Sequence, residues 1–119
     1  MTALSVIGEL GAAGRQFLPQ VEAAFDGDDP LTQVWAAWCL WKVDGRAEIA
    51  RAALIESIDS PNVDVQYWAI RHIVDMNALM PTVQNKIRMH LESNNQAVRE
   101  AAMSALQSAG GVEPEESNR

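Results

Sequence analysis

The sequence predicts an all-α protein, an α-solenoid of about three helix-turn-helix units preceded by a half unit. Three observations lead there. A short segment recurs three times with a helix-capping residue at its head. An apolar pattern at helical spacing precedes each copy. The breaks between these stretches hold Gly, Asp, Asn or Pro, and no run alternates with the period of two that a half-buried strand needs. The chain has 119 residues, 48% of them hydrophobic and only 6% aromatic, enough for one helix-rich domain over residues 1–110 with a core of its own.

In chain order, ALSVIGELG reads as the second helix of a unit whose first helix is missing. Residues 15–25 follow, with Leu18, Val21 and Phe25 on one face, and DGDD breaks the pattern. The segment DPLTQVWAAWCLW (29–41) starts at Asp29 with Pro30 behind it, a capping residue followed by the residue favoured at the first helical position. After KVDGR, residues 46–58 place Ile49, Leu54 and Ile58 together, and SPNVDVQYWAIRH (60–72) repeats the capped start. After MNALMP, residues 81–92 carry Val83, Ile87 and Leu91, and SNNQAVREAAMSA (93–105) is the third copy. Setting Asp29, Ser60 and Ser93 together, 31 and then 33 residues apart, brings Val34, Val65 and Val98 into register. The tail GGVEPEESNR is acidic and poor in apolar residues, and disorder is expected over residues 111–119.

On a helical wheel of about 100° per residue, the third copy gathers Val98, Ala101, Ala102, Ala105 and Leu106 on one arc, opposite Glu100, Ser104 and Gln107. The second copy carries the same apolar arc but puts Val63, Tyr67 and Val74 on the other side. A stack accounts for the difference: an inner unit is covered on two flanks, whereas a terminal unit keeps one flank polar. In this register Trp38 stands where the other copies have Ala69 and Ala102, and Trp68 where they have Ala37 and Ala101, so each ring is expected to fill core volume that its neighbour leaves empty. Trp35 instead falls level with Gln66 and Arg99, which predicts a partly exposed ring able to anchor a partner. Leu40, Asp64, Arg71 and Asp75 fall near it on the inner strip, where a solvated face is the competing reading for the charged ones.

Composition and motifs restrict the chemistry. Sixteen acidic residues against nine basic ones give a formal charge of −7, which opposes nucleic acid and anionic lipid, both gripped through clustered Lys and Arg. The longest uncharged stretch, residues 30–41, is too short for a membrane span, and the N-terminus lacks the basic start of a signal peptide. A single Cys39, with no basic neighbour, reads as a buried inert thiol in a cytoplasmic protein. His72 and His90 read as boundary residues, and no metal or cofactor is expected. DGDDP lacks the Gly and the bidentate Glu of a calcium loop, and GELGAAG follows no strand, so neither reads as a ligand motif. No two carboxylates stand where burial would separate their pKa values for acid-base work.

The two-helix period of 31–33 residues, the D-x-x-x-x-V-x-x-A-A style of second helix and the LG-x-x-G ending resemble HEAT-like repeats of the short bacterial type, similar to those of phycobilin-lyase-related proteins. VREAAMSAL (98–106) fits the pattern well, while VWAAWCLW and VQYWAIRH put Trp35 and Gln66 where an Arg often follows the Val. The resemblance spans residues 3–109. It implies a right-handed array whose second helices line a concave face, and it implies little about task, since such arrays host unrelated roles. The His-Glu dyads that HEAT-like deoxyhypusine hydroxylases need for iron are absent from this sequence, and its acidity runs against the HEAT-like DNA glycosylases.

The expected function is a non-catalytic scaffold binding a protein or peptide on that face through Trp35, Leu40, Asp64, Arg71 and Asp75. The alternative is a C-terminal accessory module of a larger enzyme, hydrolase or sulfatase-like, or chromophore-lyase-like. Leu4, Ile7 and Leu10 leave an apolar front end, which either self-associates or meets the rest of a longer protein.

Overall fold

The computed structural model describes residues 2–109. The expected disorder of residues 111–119 lies outside them. Among the described residues seven α-helices follow one another: α1 Thr2–Leu10, α2 Leu18–Phe25, α3 Pro30–Asp44, α4 Ala47–Ser57, α5 Val63–Asp75, α6 Pro81–Arg88 and α7 Gln96–Ser108. Two 3₁₀ segments, Gly11–Phe17 ahead of α2 and Met89–Glu92 behind α6, take up length that the apolar pattern assigned to helix. No strand occurs among the described residues. The chain divides into two units, Met1–Ser57 and Ile58–Arg119.

In the first unit α3 is the central element, with α1, α2 and α4 all packed against it. A helix touched on three sides cannot keep a wet face, and residues 34–40 are buried without interruption. The structure departs from the sequence expectation at two residues of this helix. Trp35 is 7% exposed and Leu40 is 2% exposed, so both are core residues of this unit and neither forms part of an accessible strip. Trp38 is buried as expected and meets Trp35 edge to face at 5.4 Å between ring centroids. Trp41 is half-buried.

Gly8 on α1 makes room for Trp38. A Cβ there would lie 2.1–2.8 Å from three carbons of the indole, closer than any non-bonded contact allows. The ring is 4% exposed and packs edge to face on Trp35, so making room for a Cβ means shifting packed core. Gly8→Ala is therefore expected to cost about 2–3 kcal/mol, at the upper end of what overpacking costs. Urea denaturation would measure it, and an unchanged midpoint would mean that α1 slides off the ring without penalty.

The second unit packs α7 against α5, α6 and the second 3₁₀ segment. Its core holds Ile58, Val65, Ala69, Ile73, Val83, Ile87, Val98, Ala102, Ala105 and Leu106, each 1% exposed or less. The apolar arc read for the third copy is buried and Glu100, Ser104 and Gln107 are exposed, as the wheel predicts.

The helix caps show why Trp35 and Leu40 were misplaced. Asp29 caps α3, its Oδ2 accepting from the Thr32 N–H at 2.9 Å. In α5 and α7 the caps are Asn62 and Asn95, not Ser60 and Ser93. Each serine sits two residues earlier, its Oγ accepting the N–H of the asparagine at 3.1 and 3.0 Å, and so shapes the turn that presents the cap. Counted from the true caps, the three starts lie 33 residues apart both times.

A second feature keeps the same count. Gln33, Gln66 and Arg99 each reach back six residues and donate to a backbone carbonyl, those of Gly27, Ser60 and Ser93. In this register Trp35 corresponds to Trp68 and Ala101, and Leu40 to Ile73 and Leu106. All of these except the half-buried Trp68 are buried. The two-residue slip in the first copy had set Trp35 against the water-seeking Gln66 and Arg99.

Three of the helix ends share a device too. Gly11 (φ 59), Gly45 (φ 70) and Asn77 (φ 58) are left-handed and follow α1, α3 and α5 within two residues. At Asn77 the closing bonds run from Asn77 N–H to Val74 O at 2.9 Å and from Ala78 N–H to Ile73 O at 3.1 Å, and Ala78 is buried beneath them.

Candidate binding groove

The remaining predicted site residues all lie on α5. Asp64, Arg71 and Asp75 are exposed, and their spacing of seven and four residues places them on one side of the helix. The structure thus brings these three together and leaves Trp35 and Leu40 in the core of the first unit.

Beside Arg71, one turn back, is Tyr67, which the sequence reading treated only as a covered flank. It is half-buried, and its hydroxyl accepts a 2.8 Å hydrogen bond from Arg71 Nη1, while the guanidinium carbon stands 5.6 Å from the ring centroid. Tyr67 in turn meets Trp68 edge to face at 4.9 Å, and Trp68 stacks on His72 at 5.6 Å. The Tyr67–Arg71 pair is therefore supported from beneath by rings anchored in the unit.

Tyr67, Arg71 and Val74 form one wall of a groove of about 460 Å³ between α5 and α7. The other wall is built from Ala97, Ala101 and Ser104, with Glu100 among them. The groove exists because α7 presents small side chains opposite a large one. Spacing places Tyr67 and Arg71 on one side of α5, and Ala97, Ala101 and Ser104 on one side of α7, but only the pairing of the two helices makes the groove.

A second concavity of about 520 Å³ is lined by Val63, Gln66, His90 and residues 93–95. Four of its polar side chains are already committed: Gln66 to Ser60 O, His90 Nε2 to Ile58 O at 2.8 Å, Ser93 to the Asn95 N–H and Asn95 to the Val98 N–H. A ligand there would have to break the bonds that start α5 and α7, so the α5–α7 groove is the better candidate.

Neither Cys39 nor His72 lines that opening. Burial pushes the Cys39 thiol up to about 12, the Gly8 amide offsetting only part of the effect, and Cys39 Sγ contacts Leu4 O at 2.9 Å. The thiolate fraction at neutral pH is negligible. His72 is 5% exposed, and burial holds it down to about 4, with Arg71 adding to the depression and Asp75 opposing it. Among the described residues no three His, Cys, Asp or Glu side chains are grouped to hold a metal ion, and no helix is long and apolar enough to cross a membrane.

In the first unit, the Lys42 ammonium stands 5.7 and 5.5 Å from the ring centroids of Trp38 and Trp41, a cation–π contact that shields both rings. No family model, curated protein or solved structure matches this chain.

Proposed function

We propose that this chain is a non-catalytic protein–protein interaction module, a short right-handed HEAT-like array that binds a protein or peptide along the α5–α7 groove. The observation that carries the reading is the groove itself: a half-buried Tyr67 held by Arg71, facing a wall of small residues. Such a preformed cleft admits a side chain at little ordering cost. The recurrence of cap and side-chain-to-carbonyl bond every 33 residues supports a repeat array, whose helices would be built to the same plan. The formal charge of −7 favours a protein over nucleic acid or an anionic membrane as partner, and the single buried cysteine favours the cytoplasm.

Affinity capture tests this reading. Ser104→Tyr fills the groove from an exposed position, and Arg71→Ala removes the clasp on Tyr67. Each is expected to weaken a captured partner at least about tenfold while moving the melting temperature by no more than about 3 °C, since surface changes cost little. Partners retained equally by both variants would place the binding surface elsewhere.

A second reading rests on α1, where Val6 is 58% and Leu10 45% exposed one turn apart. These two apolar side chains favour coverage by another surface, either a second copy of the chain or the body of a larger enzyme to which the chain is an accessory. Sedimentation equilibrium of the wild type and Val6→Lys separates the two, since only self-association gives a mass that the substitution lowers.

A further inference from the structure

Resting on the groove reading above, we infer that the segment the α5–α7 groove accepts is basic, with a Lys or Arg side chain entering it. One exposed carboxylate, Glu100, lines the groove from α7, and two more, Asp64 one turn before Tyr67 and Asp75 one turn after Arg71, are exposed on the Arg71 side of α5. Against them stands one cation, Arg71, whose Nη1 already donates to Tyr67 Oη; Glu100 Oε2 accepts from Gln96 Nε2 at 2.9 Å, but that neutral amide leaves its charge uncompensated. The local balance is acidic, in keeping with sixteen acidic and nine basic residues in the whole chain.

The shape agrees with the charge. Val74, Ala97 and Ala101 give an apolar bed on which the methylene stem of a Lys or Arg can lie, with its charged head carried to Glu100 and toward the Asp64 end of α5. An acidic side chain entering by the same route would meet Glu100, with only a guanidinium already engaged to receive it. Like charges brought together in this way cost affinity and slow encounter.

The probes are two 12-residue peptides of equal length and apolar content, one with four lysines and one with four glutamates in their place, titrated into the ¹⁵N-labelled full chain. The lysine peptide is expected to give saturable shifts centred on α5 and α7, with affinity falling several-fold between 50 and 300 mM salt. Asp64→Asn with Glu100→Gln keeps side-chain volume and is expected to weaken it about tenfold. Glu48→Gln with Glu56→Gln removes two exposed carboxylates from α4 and is expected to change little. A thermal melt of each variant confirms that it is folded.

Equal losses in the two double variants would reduce the effect to attraction by the chain's overall charge and overturn the inference. Tighter binding of the glutamate peptide in the same groove would overturn the basic partner and leave the groove standing. Absence of shifts in α5 and α7 with either peptide would overturn both.

Discussion

Trp35→Ala is expected to lower the stability of the chain by about 3–5 kcal/mol, the range for removing a buried Trp side chain. The ring is 7% exposed, packed edge to face on Trp38, within a helix that α1, α2 and α4 enclose. Deleting it removes both the transfer free energy of a large aromatic surface and the contact that holds Trp38 against Gly8. Since a domain of this size is stable by only about 5–15 kcal/mol, the melting temperature should fall by about 10–25 °C, at a few degrees per kcal/mol. Arg71→Ala on the exposed side of α5 is the control and should melt within about 3 °C of the wild type. A Trp35→Ala protein that melts like the wild type but loses a partner would restore Trp35 as an exposed anchor.

That reversal bears on how much of this molecule could be read from its sequence. The helices were legible because their signals are local. Pro30 behind Asp29 marks a start, Gly45 and the Asn77–Ala78 pair mark ends, and Val21, Leu54 and Ile87 recur on buried faces. Register was the part that failed, through the turn chemistry of two serines. Ser60 and Ser93 look like caps and are followed by Pro61 and Asn94, but each spends its Oγ on the N–H of the asparagine two residues on, and it is the asparagine that caps. Asp29 has no such residue ahead of it doing the same work.

An alignment on the first capping residue therefore slips by two in one copy only. Two residues turn a helix by about 200°, enough to carry a side chain from core to surface on a wheel. Trp35 and Leu40 were displaced in that way, while Asp64, Arg71 and Asp75, read within a correctly placed helix, are exposed as expected. The groove was missed for a different reason: it belongs to neither α5 nor α7 alone, and a cleft between two helices appears only when a large residue on one is set against small residues on the other.

Acid is expected to weaken the fold through His72. In the native chain the ring is 5% exposed, and burial holds it at about 4 against an ordinary 6.5. A depressed histidine favours the fold while it is neutral. Its contribution is thus complete above about pH 6.5, where the unfolded chain is neutral too, declines between 6.5 and 4 as the unfolded state alone takes up a proton, and is gone below about 4.

At about 1.4 kcal/mol per unit, the loss between pH 7.5 and 4.5 approaches 2–3 kcal/mol. The useful quantity is the difference between the wild type and His72→Met, a substitution of similar volume that cannot ionise. Urea midpoints at the two pH values should show the wild type losing about 2–3 kcal/mol more than the variant, with His90 and every carboxylate common to both. Parallel losses would mean that the folded chain accepts a proton on His72 without penalty. That would in turn require water to reach the ring stacked beneath Trp68, and so a second unit looser than the packing of Val65, Ala69 and Ile73 implies.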